Sequence, residues 1–179
     1  MDALTALRAG LPVLMPTDGV YGLCCAVDEA AALRLYELKG RGRGRPTAVI
    51  GASVEALLAL VPELDAELVL PGHFTCVVPN PARRFRWLTG DRPDTLGVRL
   101  PVLPPETRAV LDAVGTVVAT SANDPGEPAA SSLEAVPARI RRGCGAEIDG
   151  GGLPGTPSTV VDFTGETPVV LRQGAGELP

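Results

Sequence analysis

Apolar residues fall in short runs punctuated by Gly, Pro, Asp and Ser, and helical and extended periods alternate along the chain. Asp2 to Ala9 reads as a short helix closed by Gly10, and Val13 to Met15 as an apolar strand ending at Pro16. Asp28 can cap a helix running to Lys39 and stopped by Gly40, with Ala31, Leu35 and Leu38 on one face. Ala48 to Ile50 reads as a buried strand. Ser53 caps a helix from Val54 to Leu60 that Pro62 breaks, and a second short helix follows from Glu63 to Leu68. Phe74 to Val78 and Thr95 to Leu100 have the pattern of strands. Pro105 opens a helix to Val114, closed by Gly115, and Thr116 to Thr120 is a further strand. Ser131 and Glu134 have capping-box spacing for a helix reaching Arg142, with Pro137 weakening its middle. Val160 to Phe163 and Pro168 to Leu171 flank Thr164-Gly165-Glu166 as a hairpin. Strands mixed with helices and ending in a hairpin predict an α/β domain with a mixed sheet.

The 179 residues are enough for one domain, expected over 1–179. Hydrophobic residues make up 45% of the chain and aromatics 3%, so the core has to be built from Ala, Val and Leu. Gly (21) and Pro (18) are scattered, which reads as many tight turns. Of 16 cationic residues, Lys39 is the single lysine; it is therefore the expected side-chain target of amine labelling. One histidine, His73, and four cysteines without Cys-x-x-Cys spacing exclude a zinc finger or a multi-His metal site. Free thiols and the absence of a long apolar run or signal-like start predict a cytoplasmic protein with no membrane segment. A net charge of −5 argues against a general nucleic-acid-coating role.

Five stretches carry candidate chemistry. Lys39-Gly40-Arg41-Gly42-Arg43-Gly44-Arg45-Pro46 places four cations in a Gly-rich segment, either a polyphosphate-binding loop or a solvated basic loop. It is not a Walker loop, because its lysine closes a helix instead of opening one. Ala119-Thr120-Ser121-Ala122-Asn123 follows a buried strand, where α/β proteins bind ligands, although Ser and Asn also form turns. Pro16-Thr17-Asp18-Gly19-Val20-Tyr21-Gly22-Leu23 fits a turn cap better than a ligand site. Arg99, within the apolar strand Thr95 to Leu100, requires either a structural carboxylate or a substrate anion. Ser158 and Arg172 lie on the two arms of the final hairpin. Ser, His and Asp residues are dispersed and form no triad pattern, and Arg83-Arg84-Phe85-Arg86-Trp87 reads as a solvated face with one buried Trp before it reads as an RNA contact.

Taken in order, Pro-Thr-Asp-x-Val-Tyr-Gly-Leu, Lys-Gly-Arg, Val-Arg-x-Pro, Ser-Ala-Asn and Pro-Ser-Thr-Val-Val-Asp resemble the YrdC family of threonylcarbamoyl-AMP synthases, from Pro16 to about Gly174. Arg86-Trp87-Leu88-Thr89-Gly90 adds to the likeness, which is to the short, single-domain form. The resemblance implies a twisted mixed β-sheet with flanking helices around a positively charged cleft. It further implies that ATP, L-threonine and bicarbonate give threonylcarbamoyl-AMP and pyrophosphate, with Mg²⁺ accompanying ATP, and that the product feeds the machinery that modifies tRNA. ATP contacts would fall on Lys39, Arg41, Arg45, Thr95, Ser121, Asn123 and Arg172, with Lys39 and Arg41 the catalytic pair. Threonine contacts would fall on Thr17, Arg99 and Ser158, and no protein metal ligand is expected.

Three departures stand out: Gly19 replaces a second Thr that touches the amino acid in family members, Ile50 stands where some carry a His, and the spacing from Val20 to Lys39 is one residue short. The YciO-type branch usually lacks the Lys-x-Arg and Ser-Ala-Asn residues that this chain keeps. An RNA-binding module without catalysis is the alternative of a different class.

Overall fold

The computed structural model describes residues 1–42 and 44–178. Nine strands form one sheet: β1 (Val13–Pro16), β2 (Tyr21–Cys25), β3 (Ala48–Gly51), β4 (Phe74–Pro79), β5 (Thr95–Arg99), β6 (Thr116–Ser121), β7 (Ala146–Glu147), β8 (Thr159–Asp162) and β9 (Val169–Arg172). Their order is β7-β1-β2-β6-β3-β5-β4-β8-β9. Pairing is mixed: β3 runs parallel to β5 and β4 to β8, while β2, β3 and β6 join antiparallel. Five helices flank the sheet: α1 (Ala3–Arg8), α2 (Glu29–Lys39), α3 (Val54–Leu60), α4 (Pro105–Val114) and α5 (Ala138–Gly143).

Alternation along the strands sorts side chains onto two faces. Leu14, Leu23, Val49, Val98 and Val118 point to one face, where Leu35 and Tyr36 of α2, Leu57 of α3 and Ile140 of α5 complete the larger core. Val13, Met15, Cys24, Ile50 and Val117 point to the other, beneath Ala3, Ala6 and Leu7 of α1 and Leu111 of α4. Those two helices cover only part of that face. Beyond them the floor consists of small residues, Gly22, Ala48, Gly97 and Ala119, and lies open as a cavity of about 520 Å³.

Local signals hold where capping is local. The Asp2, Asp28 and Ser53 carboxylates and hydroxyl accept the expected backbone N–H groups of Thr5, Ala31 and Ala56. Elsewhere the structure differs. The Glu63 to Leu68 helix is only a 3₁₀ turn, Ala66–Leu68. The capping-box helix from Ser131 does not form: α5 starts after Pro137, which supplies no N–H and disfavours helix in the residue before it. Instead the Ser131 carbonyl accepts the Leu153 N–H at 2.7 Å, tying that segment to a distant loop. Strand β2 begins within the Pro-Thr-Asp stretch read as a turn, and two-residue β7 is too short to announce itself. Leu38 is half-buried, while Ala32, Tyr36 and Lys39 join Ala31 and Leu35 on the buried face of α2.

Candidate active site

Helix α2 ends at Gly40, whose φ of 66° reverses the chain; the Arg41 N–H then bonds the Tyr36 carbonyl at 2.9 Å. This reversal turns Arg41 onto the cavity wall. One of its terminal nitrogens donates to Thr120 Oγ1 at 3.2 Å and the other to the Pro46 carbonyl, while Nε is buried with no partner. Burial lowers the Arg41 pKa, an unfavourable state for a cation that an incoming anion would relieve.

Lys39 leaves the same helix end in another direction. Its Nζ donates to the Ser121 carbonyl, to Asn123 Oδ1 at 2.9 Å and, more distantly, to Ser121 Oγ at 3.4 Å. Asn123 in turn donates to the Asp124 and Glu127 carbonyls. Lys39, Ser121 and Asn123 are thus brought together as the resemblance implies. Yet Lys39 is 3% exposed and stands behind the wall, as does Asn123, with only Ser121 facing the cavity. Burial first, then the charge of Arg41, lowers the Lys39 pKa to about 8. The expected ready labelling of Lys39 therefore does not fit its environment: native packing withdraws the amine from reagent.

At the other end, Arg99 lines the cavity and ion-pairs with Asp18. The structural reading of Arg99 holds: Asp18, whose side chain is 0% exposed, engages one terminal nitrogen, while Nε is buried and unpartnered. Burial raises the Asp18 pKa against the lowering effect of Arg99. Arg172 donates to the Ser158 carbonyl at 2.7 Å, and burial followed by the nearby Arg99 charge lowers its pKa. Ser158 Oγ lies 2.8 Å from Thr75 Oγ1. Thr17 and Thr95 also line the cavity, their hydroxyls donating to the Val20 and Arg92 carbonyls. Arg45 is exposed and off the wall, and Arg43 lies outside the described residues.

Sequence reasoning missed Thr47, Thr89, Asp91 and Arg92, which also line the cavity. Arg92 reaches Asp162 at 2.7 Å and Thr164 at 3.0 Å, fastening the wall to the final hairpin. The one available signal was the place of Thr89, Asp91 and Arg92 in the Trp87 to Arg92 segment; Thr47 follows the basic loop and joins that segment through its N–H to the Leu88 carbonyl. Trp87 itself is half-buried and packs edge-on against Phe85, ring centroids 5.7 Å apart, while Arg83, Arg84 and Arg86 are exposed. The departures have physical correlates. Gly19 has φ of 116°, and a Cβ there would meet the Thr156 carbonyl; Ile50, 1% exposed, belongs to the core beneath α1 and α4.

Burial pushes the Cys24 and Cys144 thiols up to about 12 and raises Cys25 and Cys76 as well, so none is an activated nucleophile. Arginines and hydroxyls wall this cleft on a mixed sheet, a lining suited to anionic ligands. The family model Sua5/YciO/YrdC, described as "Telomere recombination", matches residues 5–174. The chain belongs to this family. It is 36% identical over 176 residues to the threonylcarbamoyl-AMP synthase of Pyrococcus abyssi, covering 94% of this chain and 52% of that protein. It is 35% identical over 158 residues to the Xanthomonas euvesicatoria protein of the same name, with 83% of each covered. The structure of P. abyssi Sua5 complexed with L-threonine superposes with a TM-score of 0.85 at 35% identity, covering 96% of this chain and 53% of that one. Escherichia coli YciO superposes at 0.83 with 28% identity, 98% and 88% covered. The chain thus spans about half the length of the archaeal relative. No described helix is long and apolar enough to cross a membrane.

Proposed function

We propose that this protein is a threonylcarbamoyl-AMP synthase, converting L-threonine, bicarbonate and ATP to threonylcarbamoyl-AMP, pyrophosphate and water. The observation that carries this reading is a pair of arginines, Arg41 and Arg172, that face the cavity with no carboxylate partner among the described residues. Paired guanidinium donors without counter-ions match phosphate oxygens. Arg41, Thr95, Ser121 and Arg172 would hold the nucleotide. Lys39 and Asn123 would act on it through Ser121, and Arg45 from outside the wall. Arg99, Ser158 and Thr17 would hold threonine, with Arg99 taking its carboxylate.

Amino acid and bicarbonate condense to a carbamate, losing water. A carbamate oxygen then attacks the α-phosphorus, and the bond to the β-phosphate breaks to release pyrophosphate. The attacking oxygen belongs to the substrate, so the protein supplies alignment and charge neutralisation. Mg²⁺ arriving with ATP would be held by phosphate and water: no described cluster of three or more His, Cys, Asp or Glu forms a cage, and Asp91 is the one carboxylate among the described wall residues. The reaction would take place in the cytoplasm, as the first step of tRNA threonylcarbamoyladenosine formation, before the machinery that transfers the group to tRNA. Any RNA contact would use exposed Arg83 and Arg86 beside Trp87. The retained Lys39–Ser121–Asn123 assembly favours the synthase over a YciO-type role.

Mass spectrometry of the product made from ¹³C-bicarbonate tests the reaction. Threonylcarbamoyl-AMP heavier by one mass unit is expected; an unlabelled adenylate would overturn the assignment.

A further inference from the structure

We infer that His73, the single histidine, is a positioning residue for the amino-acid end of the cleft, acting through Asp18 on Arg99. This inference rests on the proposed placement of the threonine carboxylate against Arg99. Asp18 presents two carboxylate oxygens inside the protein. Oδ1 takes Arg99, while Oδ2 has no hydrogen-bond partner and lies 3.5 Å from His73 Nδ1. The same Nδ1 stands 3.3 Å from the Asp18 carbonyl oxygen. Both neighbours are acceptors, so Nδ1 carries the hydrogen and faces Asp18 as a donor.

His73 is also tied to the opposite wall. Its carbonyl accepts the Thr159 N–H at 2.9 Å, immediately after Ser158, where β4 and β8 begin to pair. The residue thus links three parts of the proposed threonine site: the Thr17–Asp18 turn, the start of β8 and, through Asp18, Arg99. A buried carboxylate with one oxygen unpaired concentrates its charge on the only cation it touches. His73 Nδ1, bonded to the Asp18 carbonyl and 3.5 Å from Oδ2, offsets that charge through space and holds the Asp18 backbone, and so holds the edge of Arg99 left for a ligand. Arg99 itself lines the cavity, and its Nε is buried and unpartnered. Nothing comparable connects His73 to Arg41 or Ser121, so its effect is confined to the amino-acid end.

The ring is 46% exposed on its side-chain surface, so it can be replaced without opening the core. The experiment compares His73→Leu, which removes the donor, with His73→Asn, whose amide nitrogen can occupy the place of Nδ1. Threonine KM, kcat at saturating threonine and calorimetric affinity for a non-hydrolysable ATP analogue are measured alongside thermal melting. For His73→Leu the threonine KM should rise about fivefold, less than the roughly tenfold or more of a directly lost hydrogen bond to a charged group, because His73 acts through Asp18. Its kcat and nucleotide affinity should stay within about twofold, and His73→Asn should recover most of the loss. The inference is overturned if threonine KM is unchanged in His73→Leu, if nucleotide affinity falls with it, or if His73→Asn behaves like His73→Leu. A wild-type enzyme indifferent to threonine would refute the underlying function instead.

Discussion

At Arg41, which lines the cavity, two guanidinium nitrogens are already engaged, by Thr120 and by the Pro46 carbonyl, and the third is buried without a partner among the described residues. A single charge-assisted hydrogen bond is worth roughly 1.5–3 kcal/mol. Arg41→Ala should therefore lower kcat/KM at least about tenfold, and Arg41→Lys should recover only part, because an ammonium cannot reproduce the fork. Unchanged kinetics in Arg41→Ala would make the basic loop mere surface. Lys39 gives a second residue-scale prediction. Its folded pKa of about 8 lies below the ordinary lysine value of 10.5, so the unfolded chain binds the proton more tightly across that window. The cost of burying the ammonium is fully present below pH 8 and is relieved as pH rises toward 10.5. Chemical denaturation of wild type and Lys39→Met across pH 7 to 10 should show the difference growing in favour of the wild type, over a range where it carries no other lysine. A constant difference would mean that Lys39 is not held in a costly environment.

Among the elements, helices were legible wherever a side chain caps its own first turn, as at Asp2, Asp28 and Ser53. The failures have both local and long-range causes. Pro137 postpones α5, and the Ser131 segment turns away to bond the loop at Leu153. Strand β2 is buried throughout, but its Gly22 and paired cysteines carry no alternating pattern. The site was legible as residue types and stretches, and Lys39, Arg41, Ser121 and Asn123 do converge. The Arg99–Asp18 pair was not, since its members are 81 positions apart and each has a bland local explanation. Nor could sequence place Lys39 behind the wall instead of on it. The Gly19 turn is an element-scale test. Its positive φ and the Thr156 carbonyl leave no room for a Cβ, and the Gly155 N–H bonds the Gly19 carbonyl at 2.7 Å. Gly19→Thr, although it brings in the residue many family members carry, should lower the melting temperature and raise threonine KM. A Gly19→Thr variant as stable and active as wild type would show that the two loops separate readily.

Across the whole molecule, a chain of net charge −5 gathers Arg41, Arg92, Arg99 and Arg172 around one cavity. Three features go with this: α1 and α4 stop short of covering the second sheet face, small residues keep the floor low, and the Gly40 reversal turns Arg41 onto the wall. The central claim is that this cavity joins three substrates in one reaction. Continuous measurement of pyrophosphate release, omitting ATP, L-threonine or bicarbonate in turn, tests it most directly. Release should require all three and fall to background when any one is withheld. Release that persists without threonine or without bicarbonate would contradict the account, leaving a nucleotide-cleaving protein of the same fold.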